Sequence, residues 1–580
     1  MATVKGDKKV GYLEKYKQWT TDEYFDAETR NELLALEGND GEIKDRFYKD
    51  LEFGTGGLRG VLGAGSNRMN LYTVRKATQG LANFIIKQGG QEKGVAIAYD
   101  SRRMSPEFAA DAALCLNANG IKSYVFESLR PTPELSFALR ELGCISGIVI
   151  TASHNPPEYN GYKVYWEDGA QITYPKDVEI ISEVNAITDY SAVKTMDLET
   201  AKEKGLYHTI GTEIDDRYME ELKKLVVNPI AEACKDMKIV YTPLHGTGNL
   251  PVRRILKELG FTKVYVVPEQ ELPDGNFSTV GYPNPEDPKV FTLAKKLADE
   301  VGADIILATD PDADRLGVQV RGTDGEFVLL TGNMSGALIA EYVFSQKAAH
   351  NTLPANAALI KTIVTGNMAD RIAAHYHAEL IEVLTGFKYI GEQIKLFEET
   401  GSNEYVFGFE ESYGCLIGTH SRDKDAVVAV MTLCEAAAYY KSQGITLYEQ
   451  MNRVFEKYGY FKEDLVSVTL KGIEGMEKIK EIMGNYRKNP VKEAGGLKVL
   501  KFRDYEKDTI TDLTTGAVTP TGLPKSDVLY FDLEEDAWCA VRPSGTEPKI
   551  KFYFGVKGTS LSDAAEKLDK LVHDAAFAVG

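Results

Sequence analysis

The stretch Asp304-Ile305-Ile306-Leu307-Ala308-Thr309-Asp310-Pro311-Asp312-Ala313-Asp314-Arg315 decides the fold class. Its first half is a short β-branched apolar run bounded by polar residues, which reads as a buried strand. Its second half sets carboxylates at i, i+2 and i+4. On an extended segment these point to one side, and Pro311 biases Asp310 towards that conformation. The segment just before, Pro288 to Val301, carries a helical period. The same alternation recurs where Gly94 to Tyr99 precedes Pro106 to Asn119 and where Lys238 to Tyr241 precedes Val252 to Gly260. This rhythm predicts α/β layers with functional loops at the carboxyl ends of strands.

The pattern changes after about Gly459, where short alternating strands are expected at Leu465 to Leu470, Leu497 to Phe502, Val528 to Phe531, Ala537 to Arg542 and Lys549 to Phe554, followed by a helix from Ser562. That is the signature of an α+β module with an antiparallel sheet. With 580 residues and 43% hydrophobic content the chain can fill several cores, and its length predicts about four domains. We place them at 1–205, 206–325, 326–455 and 456–580, the first three α/β and the last α+β. The polar segments near Thr195 to Tyr207 and Lys441 to Thr446 are the expected joints.

Lys and Arg number 67 against 86 Asp and Glu, a formal net charge of -19. Such a field disfavours nucleic acid and anionic membranes as partners, so an anionic ligand must meet a focused cationic pocket. The six cysteines contain no C-x-x-C pair, which signals neither zinc nor a disulfide framework and fits a reducing cytoplasm. Met1 to Lys17 lacks an apolar targeting core, and the longest apolar helix candidate, Ala426 to Tyr440, is interrupted by Glu435. A soluble protein is expected. Nothing in the sequence specifies an oligomeric state.

Five short motifs carry chemistry. Asp310, Asp312 and Asp314 would repel one another without a cation, and an all-oxygen set selects Mg²⁺ over zinc. The calcium loop of an EF-hand would need Gly and Glu where Arg315 and Arg321 stand. Arg315 offers a cation to a phosphate oxygen. In Thr151-Ala152-Ser153-His154-Asn155-Pro156, an apolar run (Ile145 to Ile150) delivers Ser153 onto a tight loop. Arg542-Pro543-Ser544-Gly545-Thr546-Glu547-Pro548-Lys549 gathers a guanidinium, hydroxyls and a permissive glycine in one turn between strands, suited to a dianion. Glu410-Glu411-Ser412-Tyr413-Gly414 pairs a carboxylate with a hydroxyl, able to bind neighbouring sugar hydroxyls. Phe53-Gly54-Thr55-Gly56-Gly57-Leu58-Arg59-Gly60 is a glycine-rich turn that matches neither a P-loop nor a dinucleotide fingerprint. Each of these last four motifs, taken alone, is also compatible with an ordinary solvated turn.

In this order and together, the motifs closely resemble the α-D-phosphohexomutase superfamily of phosphoglucomutases and phosphomannomutases. The resemblance spans residues 53 to 549 and is nearest the long phosphoglucomutase branch. It implies four domains around one cleft, with a mobile last domain. It also implies that Ser153 carries a phosphoryl group and that a phosphoserine oxygen joins Asp310, Asp312 and Asp314 around one Mg²⁺. By the same resemblance Lys163 is the favoured proton shuttle, with Arg59 and His154 supporting the phosphoryl oxygens. Glu410 and Ser412 meet the sugar hydroxyls, Thr385 and Lys424 make further ligand contacts, and Arg542, Ser544, Gly545 and Thr546 hold the phosphate that is not reacting. One departure is plain: some bacterial members carry a histidine just after E-x-S, where this chain has Tyr413-Gly414.

The implied reaction is a reversible mutase, glucose 1-phosphate to glucose 6-phosphate, through glucose 1,6-bisphosphate. Small phosphosugars are its expected partners. Pentose phosphates rank second as substrates and mannose phosphates third. A non-catalytic sugar-phosphate-binding protein would have lost Ser153 or an acidic ligand. A phosphatase with an aspartyl nucleophile would need D-x-D-x-[TV], whereas Arg315 and Leu316 follow the trio here.

Overall fold

The computed structural model describes residues 11–54, 57–470, 472–544 and 549–576. Three open sheets and one antiparallel sheet succeed one another along the chain. The first runs Gly57–Val61, Tyr159–Trp166, Ser146–Ile150, Val95–Tyr99, Ser123–Phe126, Tyr207–Ile210 across its width. The second runs Phe327–Leu330, Leu316–Arg321, Ile305–Thr309, Lys238–Thr242, Lys263–Val266, and the third Glu379–Val383, Ala357–Thr362, Glu404–Phe409, Cys415–Ile417. The strands Val95–Tyr99, Ser146–Ile150 and Ile305–Thr309 are covered on both faces, which is why they read as unbroken apolar runs.

The three sheets share a plan that no sequence repeat announces. In each, a buried strand whose neighbour runs parallel to it turns back through a short loop into an antiparallel strand: Ser146–Ile150 into Tyr159–Trp166, Ile305–Thr309 into Leu316–Arg321, and Glu404–Phe409 into Cys415–Ile417. Ser153, the aspartate trio and Glu410 lie on these three equivalent turns. Each turn holds one non-glycine residue in the left-handed region: Ser153 at φ 51°, Ala313 at φ 51° and Tyr413 at φ 69°. Such residues are costly outside glycine and concentrate where a loop must aim a side chain.

The fourth sheet is antiparallel throughout, with Trp538–Pro543 hairpinned to Lys549–Gly558 and the latter paired along its length with Tyr460–Thr469. Its own core is built on Val499, Phe531, Val541, Phe552, Phe554 and Leu571. A separate apolar cluster seats it on the third unit: Ile363, Val364 and Leu384 pack with Tyr505, Tyr530, Trp538 and Tyr553. The three α/β units are not insulated from one another either. One continuous core runs from Ala98 and Phe126 through Ile239 and Val252 to Leu359 and Val427.

The joints fall later than the sequence suggests. Tyr207–Ile210 pairs in parallel with Ser123–Phe126 and so belongs to the first sheet, beyond residue 205; the polar run before it holds the helix Leu198–Glu203. Phe327–Leu330 pairs with Leu316–Arg321, so the second sheet continues past residue 325. Residue 455 lies inside the helix Leu447–Tyr458, which opens on a Thr446/Glu449 capping box after the polar run 441–446 and stops at Gly459, φ 117°. Polar composition there marks a helix–helix connection, and the left-handed glycine marks the end of the third unit. Three N-terminal helices, Tyr12–Thr21, Ala27–Leu34 and Asp40–Phe47, were not foreseen; they close over Trp19, Phe25, Leu33 and Phe47. The helix Gly472–Lys488 was missed too.

Candidate active site

The aspartate loop does not stay extended. After Thr309 the chain turns through Pro311 and Asp312, with Ala313 left-handed, and the backbone amides of Asp314 and Arg315 fold back onto Asp310 Oδ1 at 3.1 and 3.0 Å. Convergence therefore comes from a closed turn and not from strand alternation. The outcome is the one expected: carboxylate oxygens of Asp310, Asp312 and Asp314 lie within 4.8 Å of one another, all three residues buried. Asp312 Oδ1 and Asp314 Oδ1 are buried without a hydrogen-bond partner. Unpartnered hard oxygens on converging carboxylates fit a divalent cation.

Side chains of the first and third units reach this turn. From the first unit, Ser153 Oγ donates to Asp310 Oδ2 at 2.8 Å, with His154 Nδ1 3.2 Å from the same hydroxyl. Lys163 Nζ lies 2.9 Å from Asp312 Oδ2 and 3.6 Å from Asp314 Oδ2. From the third unit, Lys424 Nζ lies 3.1 Å from Asp314 Oδ2 and 3.2 Å from Asp423 Oδ1. Lys163 is delivered by its strand, in register with Val149 on one side and Gly57 on the other. Gly161, two residues earlier, must be glycine: a Cβ there would sit 2.4 Å from the Thr151 carbonyl oxygen. Arg59 lies opposite Gly161 on the edge strand, exposed and within electrostatic reach of His154.

Electrostatics follow from burying so many charges together. Burial, then Asp312 and Asp314, push the Asp310 carboxyl far above its ordinary range. Burial pushes Asp312 the same way, but Lys163 and Thr132 outweigh it and hold the carboxylate low. The two lysines are desolvated yet raised, Lys163 by Asp312 and Asp314, Lys424 by Asp314, Asp423 and Glu410. Burial, then Arg315 and Arg59, drive His154 well below its usual value, so its imidazole is neutral, with one ring nitrogen a hydrogen-bond donor and the other an acceptor. Arg315 is engaged by Glu286, with 2.7 Å between NH1 and Oε1.

Glu410 stands at the mouth of the third loop. Its Oε1 accepts from the Gly386 amide at 3.1 Å, and burial raises its carboxyl to about 7, against the pull of Lys424. Thr385, one residue before that amide, has a buried hydroxyl without a hydrogen-bond partner. Ser412 is on the same turn, half-buried. From the fourth unit, Arg542 lies at the end of its strand opposite Lys551, within electrostatic reach of Glu411 and Tyr389 of the third unit. The Ser544 amide donates to the Lys549 carbonyl at 2.7 Å, closing the base of the turn. Gly545 and Thr546 lie outside the described residues.

Three side chains that hold the site together escaped the sequence reading. Thr132 donates its hydroxyl to Asp312 Oδ2 at 2.9 Å. Asp100 accepts from Thr151 Oγ1 at 2.6 Å, and Arg102 hydrogen-bonds the serine loop from beneath. Charged residues immediately after the apolar strand Val95–Tyr99 were the available signal, since strand carboxyl ends carry functional loops in α/β sheets. Thr132 gave none.

The sequence matches phosphoglucomutase/phosphomannomutase alpha/beta/alpha domain I over residues 50–191, domain II over 216–323 and domain III over 331–458. It is 37% identical to a phosphoglucomutase of Staphylococcus saprophyticus, across 97% of this chain and 98% of that one. A Staphylococcus aureus phosphoglucomutase is also 37% identical, across 92% and 94%. Among solved structures, a putative phosphomannomutase from Thermus thermophilus superposes with a TM-score of 0.68 at 22% identity, covering 92% of this chain and 99% of that one. The open form of a Paramecium phosphoglucomutase superposes with a TM-score of 0.67 at 20% identity, over 92% and 94%.

Proposed function

Because the chain belongs to the phosphoglucomutase/phosphomannomutase family, we propose that it is a phosphoglucomutase that interconverts α-D-glucose 1-phosphate and glucose 6-phosphate through a phosphoserine at position 153 and glucose 1,6-bisphosphate. The observation that carries this reading is the meeting of Ser153 Oγ with Asp310 Oδ2 at 2.8 Å inside a buried trio of carboxylates. A hydroxyl placed there stands beside a site fitted to a divalent cation, which is the placement that phosphoryl transfer to and from a serine requires.

Phosphorylated Ser153 passes its phosphoryl group to the free hydroxyl of the sugar monophosphate; the bisphosphate turns over in the cleft, and its other phosphate returns to Ser153. Asp310, Asp312 and Asp314 would hold one Mg²⁺, which when bound offsets negative charge on the transferring group. Neutral His154, its Nδ1 3.2 Å from Ser153 Oγ, supports the phosphoryl oxygens, and Arg59 and Arg315 supply cations to them. Lys163 is the proposed proton shuttle for the sugar hydroxyl; Asp312 and Asp314 hold it as an ammonium, so it would take that proton only where a cation on the trio draws those carboxylates away from it. Glu410, Ser412, Thr385 and Lys424 orient the sugar, and Arg542, Ser544, Gly545 and Thr546 grip the distal phosphate. Since the bisphosphate must present either end, this last grip reads a dianion and not a sugar shape. A fourth domain closing over the cleft would keep water from the phosphoserine.

Two measurements test the proposal together. Ser153→Ala should abolish mutase turnover while leaving the circular dichroism spectrum intact; unchanged turnover would remove Ser153 as the carrier. Wild-type kcat/KM with glucose, pentose and mannose 1-phosphates, primed with trace bisphosphate, should rank glucose first, and a clear preference for another sugar overturns the assignment.

A further inference from the structure

Ser153 is a non-glycine residue at φ 51°, a conformation that relaxes unless its neighbours forbid it. Both peptide groups beside it are pinned from the strand next door. On the amide side, Ser153 N–H donates to Thr151 Oγ1 at 2.8 Å, and that hydroxyl donates to Asp100 Oδ2 at 2.6 Å. On the carbonyl side, Arg102 NH2 donates to Ser153 O at 2.5 Å and also to Asn155 O, while NH1 donates to Pro156 O at 2.8 Å and Tyr159 O at 3.1 Å. One guanidinium, 1% exposed, thus serves four carbonyls of a single turn. Asp100 is its counter-ion, 3.3 Å from Nε, and the same carboxylate takes Ser105 Oγ at 2.8 Å.

The pin is covered by the second unit. Phe277, fully buried, belongs to the second unit and places its ring 5.0 Å from the guanidinium carbon. Close by, a Cβ at Gly275 would come within 2.7 Å of the Arg103 amide nitrogen, so this segment lies directly on the backbone that carries Arg102. Both terminal nitrogens of Arg102 are spent on backbone carbonyls, and its Nε faces the Asp100 carboxylate without a hydrogen bond. A planar fork suits this task and a point charge does not, because only the fork reaches several acceptors in fixed directions.

We propose that Arg102 is the positioning residue that fixes Ser153 for phosphoryl transfer, and that Phe277 seals it, so that the serine loop is held in alignment with the aspartate loop. The inference rests on the mutase reading above. Misplacing a reacting atom by about 1 Å costs on the order of 100-fold in rate, which sets the scale expected when the pin is removed.

The test compares wild type with Arg102→Lys, Arg102→Ala and Phe277→Leu. Wild type without mutase activity would refute the mutase reading itself. Given an active wild type, Arg102→Ala should lower kcat by about 100-fold with KM for glucose 1-phosphate within about twofold of wild type. Arg102→Lys, which keeps the charge and loses the fork, should fail to restore kcat. Phe277→Leu, which keeps most of the buried volume, should lower kcat by roughly tenfold with KM again unchanged. A lysine variant as active as wild type, a raised KM with unaltered kcat, or an indifferent Phe277→Leu would overturn the inference. Should Arg102→Ala fold poorly, the lysine and leucine variants decide alone.

Discussion

Thr132 holds Asp312 twice: its hydroxyl donates to Oδ2 and its amide donates to the backbone carbonyl of the same aspartate, both at 2.9 Å. The two residues belong to different units, Thr132 at the start of the helix Thr132–Glu141 and Asp312 on the aspartate turn. With Oδ2 shared by Thr132 and Lys163, the carboxylate cannot rotate, and Oδ1 is left facing its fellow ligands without a partner. Outer partners of this sort fix ligand orientation, and losing one typically costs about 10- to 100-fold in metal affinity. Thr132→Val keeps the shape and removes the hydroxyl. We expect Mg²⁺ to bind it at least about tenfold more weakly by titration calorimetry; an unchanged dissociation constant would show that Asp312 needs no such hold.

Gly414 governs the reach of Lys424. A Cβ at 414 would lie 2.0 Å from Lys424 Cδ, so the lysine's aliphatic stem runs through the space that glycine leaves. Gly414→Ala must push that stem aside and draw Nζ off Asp314, now 3.1 Å away. Hydrogen bonds to charged groups contribute roughly 1.5–3 kcal/mol, and kcat/KM for glucose 1-phosphate should fall by about 10-fold or more. Because the change adds a single methyl on a turn, thermal stability should move far less than activity. Equal losses in both would point to a general unfolding of the loop instead.

What the sequence revealed and what it hid have one physical explanation. The serine turn, the aspartate trio and the Glu410 turn were legible because each packs its chemistry into consecutive residues after a buried strand. Thr132 was not, since its role arises from a partner 180 residues away and threonine is not unusual where it stands; Arg102 stands just past a strand's carboxyl end, but its partners are backbone carbonyls 51 to 57 residues away that no motif marks. The alternation of three aspartates pointed to the right cluster by the wrong geometry, because Ala313 turns left-handed and closes a loop that an extended chain would have left open. Domain joints slipped for a related reason. Tyr207–Ile210 is four residues, mostly half-exposed, and only its pairing with Ser123–Phe126 assigns it to the first sheet.

Away from the cleft, Glu435 gives the fold a pH dependence of its own. It is fully buried on the helix Ala426–Ser442 and takes the amides of Val227 and Asn228 at 2.9 and 2.7 Å and Tyr342 OH at 2.8 Å, while Oε2 has no partner. Burial raises its carboxyl from 4.5 to about 7, against the help of those donors. The folded protein therefore binds a proton that the unfolded chain releases. The stabilising contribution is complete below about pH 4.5 and is lost as the pH rises through about 7, by at most about 3 kcal/mol. Glu435→Gln should flatten this segment of the stability profile, so that wild type and variant diverge between acidic and mildly alkaline urea titrations. Parallel profiles for the two proteins would place the titration elsewhere.

Divalent metal should stabilise the first two units specifically. Asp310, Asp312 and Asp314 come together only in the folded chain, so a cation they bind favours the native state by mass action, about 2.7 kcal/mol at a hundredfold excess over its dissociation constant. Calorimetric transitions should move up when Mg²⁺ is added and return when it is chelated, with little change in secondary structure. Phosphoryl transfer should stop on chelation under the same conditions. Asp312→Asn, which removes the carboxylate's negative charge and one of its two ligand oxygens, should lose most of the Mg²⁺-dependent shift, whereas a substitution on the fourth unit such as Arg542→Ala should keep the shift and raise KM for the phosphosugar. A wild-type protein whose transitions ignore Mg²⁺, or an Asp312→Asn variant that responds like wild type, would rule out the aspartate turn as the cation site.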